Sequence, residues 1–369
     1  ICKAAGYKTG LYTSPHLTDV RERIRLNGRM IEKRRFAQIL ARIRPVVEQY
    51  GATYFETLTA AALVYFAEEK AEIVCLEVGL GGRLDATNVV RPLVSVITSI
   101  SLDHTEHLGS TPAQIAVEKA GIIKAGVPCV IGSLPQEAVQ VVHNTCRERG
   151  APFIVADQLI RSQILDMQPQ RMTVRLESQK LSGIVTSRLV GRRQEDNLRI
   201  AAAVCGLLRQ EPFLQKQLSA EAFRRGVASC RWPGRFEILR RHPLILVDVA
   251  HNLEAMQALK ELLANFFSGR RIVLVIGLLA DKDAASISRC LADAVQMVIT
   301  VTPNSERALP AERLAEHFAG LSKDIFAAPN LKAGLERALD ESDRNTVICI
   351  TGSHYVVGEA RRRIKSLTT

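Results

Sequence analysis

The residues able to do chemistry stand where apolar runs stop. The run Ile73–Leu76 reads as a buried parallel strand. It ends on Glu77, and Gly79, Gly81 and Gly82 follow within a few residues. Glycines there let backbone approach a ligand closely and reach φ > 0 at little steric cost. A carboxylate at a strand's carboxyl end lies where open α/β sheets bind ligands. The plain alternative is a glycine turn with Glu77 at a solvated edge. Segment 13–17 offers Ser14 and His16, either as a hydroxyl near a metal or phosphate or as a locally capped turn. Asp103 and His104 follow a second apolar run, 92–99, and repeat the address of Glu77. Lys119 has apolar neighbours at helical spacing. A buried lysine loses proton affinity, so its amine can act as a nucleophile or take up carbon dioxide as an anionic carbamate. The alternative is a snorkelling surface lysine paired with Glu118 or Glu106. Late in the chain Asp248 and His251, then Lys282 and Asp283, then Ser353 and His354 close further apolar runs.

Those side chains need elements to carry them. Helices are expected over 31–50, 57–70, 112–124, 135–149 and 194–209, the last with Asn197 near its start. Strands are expected over 9–13, 127–131 and 153–155, and short alternating segments at 172–176 and 184–189 suggest a small antiparallel sheet. Apolar strands at 244–249, 272–276, 297–301, 325–327 and 347–350 alternate with helical stretches, the pattern of a doubly wound sheet. No GxGxxG is present, which argues against a dinucleotide site. The stretch 226–234, with the single tryptophan at Trp232, reads as an interdomain linker. Residues 1–5 read as the last turn of a helix capped by Gly6, so the chain is expected to be N-terminally truncated.

At 369 residues two domains are expected, and 47% hydrophobic with 24% charged content describes an ordinary soluble protein. No apolar stretch is long enough to span a bilayer and no signal peptide opens the chain. The eight cysteines form no CxxC pair, so reduced, buried thiols of a cytoplasmic protein are expected. The net charge is 49 − 38 = +11. Its basic clusters are dispersed and lack interleaved aromatics, which favours a solvated surface, then attraction of anionic small molecules, over nucleic acid.

Taken together, these stretches resemble the folylpolyglutamate synthase/dihydrofolate synthase family of the Mur ligase superfamily. The matching segments are 11–17, 77–88, 97–109, 118–124, 231–235, 248–252 and 280–283, in the family's order over essentially the whole chain. The resemblance implies an α/β fold: a P-loop NTPase-type parallel sheet with a small antiparallel sheet, then a Rossmann-like C-terminal domain. It implies an ATP-binding domain over 1–230, a linker over 231–235 and a glutamate ligase domain over 236–369. The implied activity joins glutamate to a pteroate or folate carboxylate with ATP and Mg2+ through an acyl phosphate, in a monomer without nucleic-acid or membrane partners. By the same resemblance Ser14, Glu77 and His104 surround the metal, and Lys119 matches a lysine that the family carbamylates. Asn197, Arg235 and Asp248 match nucleotide-contacting positions, Arg235 near phosphate and Asp248 near ribose, and His251 matches a residue near the phosphates. The family's glycine-rich phosphate loop belongs before the helix that ends at Gly6, so the sequence as given is expected to be a poor ATPase. Val249, Leu253 and Arg193 depart from the family's usual Gly, Pro and His. The alternatives are another Mur-type ligase acting on a UDP-sugar peptide and a non-catalytic nucleotide- or folate-binding remnant.

Overall fold

A computed structural model describes the chain except residues 103–104, 180, 213, 215–217, 323 and 367–369; of 105, 365 and 366 it describes the backbone alone. It divides into two compact units. The first comprises 1–166, 173–187 and 194–230, and the second 167–172, 188–193 and 231–369.

In the first unit the order is β1 (Thr9–Tyr12), β2 (Ile24–Leu26), β3 (Arg29–Met30), α1 (Lys33–Tyr50), α2 (Tyr54–Glu68) and β4 (Ile73–Leu76). Then come β5 (Ser95–Ile97), α3 (Thr105–Leu108), α4 (Pro112–Ala120), β6 (Cys129–Ile131), α5 (Gln136–Glu148), β7 (Phe153–Val155) and α6 (Ala156–Leu159). One sheet runs β3-β2-β1-β4, with β1 and β4 parallel and Tyr12 opposite Leu76. A second, all parallel, runs β5-β6-β7. The helices form for local reasons. Thr53 and Glu56 make a capping box that starts α2, whose Leu58, Ala61, Ala62 and Phe66 are buried against the first sheet's core. Thr111 and Gln114 do the same for α4, with Pro112 in its first turn.

Three expectations change here. Strand β4 is parallel but not buried: Val74 and Cys75 are exposed, because among the described residues β4 is an edge strand paired only with β1. The helix expected over 112–124 stops at Ala120, because Gly121 is where the chain of Arg83 crosses it. Residues 1–6 form hydrogen-bonded turns, not a helix.

The small sheet has the order β10-β9-β8. Its strands are β8 (Arg161–Gln168), β9 (Arg171–Glu177) and β10 (Gly183–Ser187), and α7 (Arg192–Leu208) and α8 (Ala220–Ser229) follow. Strand β8 was hidden by its polar sequence, RSQILDMQ.

The second unit holds β11 (Glu237–Arg241), β12 (Leu244–Val247), α9 (Leu253–Phe267), β13 (Arg271–Ile276), α10 (Ala284–Leu291), β14 (Met297–Val301) and α11 (Ala311–Phe318). It ends with β15 (Asp324–Ala328), α12 (Leu331–Asp340), β16 (Thr346–Thr351) and α13 (His354–Ser366). Its sheet order is β11-β12-β16-β13-β14-β15, parallel except for β11. All residues of β12, β14 and β16 are buried, as strands covered on both faces must be. The strand–helix alternation was legible; β11 was not, since EILRR reads as a charged surface segment. Among the described residues no helix is long and apolar enough to cross a membrane. All eight cysteines are free, but Cys75 and Cys230 are exposed, contrary to the expectation of buried thiols.

Candidate active site

Register places the first cluster. Because Tyr12 lies opposite Leu76 in parallel strands, the residues after each leave the sheet side by side. The Glu77 N–H donates to Tyr12 O at 3.0 Å, and the Ser14 N–H donates to the Glu77 carboxylate at 2.9 Å. Ser14 and Glu77, distant in sequence, are therefore neighbours. His104 lies outside the described residues.

The loop carrying Ser14 is held by its own return strand. Glu22 accepts four hydrogen bonds: from the Leu17, Thr18 and Asp19 N–H groups and from the Thr18 hydroxyl. Burial alone pushes the Glu22 carboxyl up, but these donors hold it below its usual value. The stability Glu22 contributes is thus present above the ordinary glutamate range and is lost as pH falls through its lowered folded value. We expect Glu22→Gln to cost about 1–3 kcal/mol at neutral pH and to flatten the acid limb of urea-unfolding stability against pH. Arg23, from the same turn, donates through Nε to His16 Nδ1 at 2.9 Å. Burial and then the Arg23 charge hold His16 below the usual imidazole range.

The glycine loop packs against the protein as well as lining a cleft. Its close approaches are to the protein itself. A Cβ on Gly79 would meet the Phe55 ring at 2.4 Å, and one on Gly82 would meet the Glu118 and Lys119 carbonyls at 2.9 and 3.0 Å. Gly81 has φ +66. Asp85 ties the loop down, taking the Gly79 and Leu80 N–H groups on one oxygen and the Thr87 N–H and hydroxyl on the other. The Arg83 N–H donates to Glu118 O at 2.8 Å, and its guanidinium pairs with the Glu118 carboxylate at 2.9 Å. So the glycines seat the loop against the end of α4, which carries Lys119. At Gly121 an added Cβ would lie 2.3 Å from Arg83 Cα. Gly121→Ala is expected to destabilise by about 1–3 kcal/mol, read as a lower urea midpoint at unchanged slope.

Lys119 is half-buried in the last turn of α4. With Val78 to Gly81, Thr98, Ser99 and Ser101 it lines a cleft of about 240 Å3. The cleft therefore opens at the carboxyl ends of β4 and β5. Asn197 is exposed on α7 and donates to Gln194 at 3.2 Å.

In the second unit, Asp248 follows β12. One carboxylate oxygen accepts the Phe236 N–H and the other the Ala250 N–H, each at 2.8 Å. Burial pushes the Asp248 carboxyl up, against the pull of Arg235 and those two N–H groups. Phe236 has φ 43, a left-handed conformation that bulky residues rarely adopt. Its ring is buried and stacks on Phe267 with centroids 6.2 Å apart. The exposed Arg235 is thus presented by a turn anchored on both sides, with the Gly234 N–H on Glu237 at 2.8 Å and Glu237 held by Arg361. His251 Nδ1 lies 2.8 Å from Val249 O, and its ring centroid is 5.5 Å from that of His354, at the start of α13. Residues that sequence reasoning passed over are Glu22, Arg23, Asp85 and Glu237. Only Asp19-x-x-Glu22, a capping box, and Asp85-x-Thr87, an Asx-type turn, left a local signal.

Both α/β units, each with polar loops at strand ends, are matched by domains of the Mur ligase class. Residues 29–205 match the Mur ligase middle domain, and residues 234–354 match the Mur ligase glutamate ligase domain. The dihydrofolate synthase/folylpolyglutamate synthase of Bacillus subtilis is 35% identical, over 98% of this chain and 85% of that protein. Mycobacterium tuberculosis folylpolyglutamate synthase, solved with ADP and AMPPCP, superposes with a TM-score of 0.87 at 32% identity, over 98% of this chain and 87% of that one. The bifunctional folylpolyglutamate synthase/dihydrofolate synthase of Yersinia pestis, solved with AMPPNP and Mn ion, gives 0.85 at 31% identity, over 99% and 84%. The chain belongs to the dihydrofolate synthase/folylpolyglutamate synthase family, a family of ATP-dependent ligases.

Proposed function

We propose that the protein joins L-glutamate to dihydropteroate, to folate-type polyglutamates, or to both, with ATP and Mg2+, through an acyl phosphate. The similarity to the Bacillus subtilis enzyme, over 98% of this chain, carries this reading. The donor set supports the metal: the Ser14 hydroxyl and Glu77 carboxylate are hard oxygen ligands, suited to a cation that keeps water and phosphate oxygens. ATP supplies the phosphoryl group that turns a poor acyl donor into a good one, and the metal offsets its charge.

The chain's own residues then have separable roles. Ser14 and Glu77, with His104, hold the metal. Lys119, as amine or carbamate, stands in the wall of the cleft beside them. Asn197, Arg235 and Asp248 hold the nucleotide, and His251 lies near its phosphates. The two units act as an ATP-binding domain and a glutamate ligase domain joined through 231–235, in a cytoplasmic monomer.

The test is glutamate-dependent phosphate release from ATP, with the chain in its full coding context and dihydropteroate and tetrahydrofolate offered separately. Release with dihydropteroate marks a dihydrofolate synthase, with both a bifunctional enzyme, and with tetrahydrofolate alone a polyglutamylating one. Silence with both, from a folded protein that binds ATP, overturns the folate reading in favour of another Mur-type substrate.

A further inference from the structure

We propose that Arg23 and His16 form a binding site for an anionic oxygen group, a carboxylate or a phosphoryl group, beside the Ser14 loop. In taking that anion to come from a substrate, the proposal rests on the ligase reading above.

The observation is a buried cation with an unusual partner. Arg23 is 9% exposed, yet its side chain's hydrogen bond goes to an imidazole, not a carboxylate. Its guanidinium carbon lies 5.7 Å from the Tyr54 ring centroid, a second neutral contact. The nearby carboxylates are engaged elsewhere. Glu22 takes its four loop donors, Asp19 pairs with Arg21 at 2.7 Å, and Glu77 takes the Ser14 N–H. Among the described residues no carboxylate pairs with Arg23. A guanidinium with no carboxylate in direct contact, bonded instead to a neutral imidazole, keeps donor capacity for an anion.

The hydrogen-bond direction shows what the pair offers. Arg23 Nε–H donates, so His16 Nδ1 accepts, and the imidazole proton sits on Nε2. That N–H is across the ring from Arg23, on the edge turned away from the buried guanidinium, and His16 is half-exposed. The result is a neutral N–H donor backed by a buried positive charge. An incoming anion gains a hydrogen bond and the attraction of that charge. A positively charged chain, +11 overall, favours the approach of such a ligand.

The test is thermal unfolding at constant ionic strength in chloride, inorganic phosphate or 4-aminobenzoate. The intact protein is expected to gain Tm in one of the two probes over chloride. Phosphate assigns the site to a phosphoryl group, and 4-aminobenzoate to the carboxylate of a pteroate-like substrate. Arg23→Met is expected to lose that gain while melting in chloride no lower than the parent, because it keeps the length and packing of the side chain and breaks no direct ion pair. A merely structural arginine predicts the reverse: a lower Tm in chloride and an unchanged anion response. His16→Phe, which keeps Arg23 and removes the outward N–H, is expected to lose the gain as well, and decides the matter alone should Arg23→Met not fold. No gain in the intact protein, or a gain retained in either variant, overturns the proposal. Since the readout is unfolding and not turnover, its failure is distinct from failure of the ligase reading.

Discussion

Lys119→Ala is expected to lower turnover by about 10²–10³-fold or more, the loss typical of removing one preorganised charge stabiliser, while leaving the fold intact. The fold should survive because Lys119 is half-buried and its neighbours Ile115 and Ala116 carry the packing of α4. Two plain readings of this lysine were a surface residue paired with Glu118 or with Glu106. Glu118 is engaged by Arg83, and Lys119 lines the cleft beside the glycine loop. Its helical position adds a physical condition. An ammonium in the last turn of a helix is favoured by the macrodipole, and an anion there is disfavoured. A carbamate at Lys119 therefore needs a compensating cation nearby. In 13C NMR with labelled bicarbonate, a carbamate resonance is expected to grow with Mg2+ and to be absent from Lys119→Ala. Unchanged turnover in Lys119→Ala would remove the residue from the proposed machinery.

The parts of this site that were legible in the sequence share one property: the signal is local. Apolar runs ending on Glu77 and Asp248 place carboxylates at strand ends because strand exit is written in consecutive residues. The second unit's strand–helix alternation is legible for the same reason. What escaped depends on pairing across the chain. Strand β4 is exposed because of where it sits in its sheet, which Ile73–Leu76 does not encode. The glycine motif was visible, but its partner was not. Phe55 and the end of α4 stand where a Cβ on Gly79 or Gly82 would go, while the backbone of 78–81 also lines the cleft. Likewise, nothing near Arg23 in sequence announces a buried guanidinium bonded to His16. Strands β8 and β11 were missed because their residues are mostly polar, and only neighbouring strands select the extended form.

Asp248→Ala is expected to have the other large effect, and on nucleotide binding more than on folding alone. The resemblance implies a ribose contact for Asp248, but its geometry adds a second role. The two carboxylate oxygens hold two different loops: the Phe236 N–H, just after Arg235, and the Ala250 N–H, just before His251. Removing the side chain strands both donors, at about 1–3 kcal/mol each. It also releases the strained Phe236 backbone, at φ 43, which the surrounding contacts hold in place. Arg235 and His251 then lose their common anchor. ATP affinity is expected to fall by about tenfold or more, in line with the 1.4 kcal/mol that a factor of ten represents, measured by calorimetry on protein still folded by circular dichroism. The pH dependence carries a sign of its own. Burial raises the Asp248 carboxyl, so the folded state holds that proton more readily than the unfolded chain does. The contribution is fully favourable at low pH and is lost as pH rises through the raised folded value. When ionised, the carboxylate therefore opposes folding relative to its protonated form, while organising the two loops. Asp248→Asn separates these effects: it removes the charge but turns an amide donor toward one of the two backbone N–H groups. Stability in Asp248→Asn is expected to vary less with pH than in the parent, with ATP affinity still reduced. Parent-like affinity in both variants would mean that Arg235 and His251 are held by the backbone turn itself, and that Asp248 is dispensable to nucleotide binding.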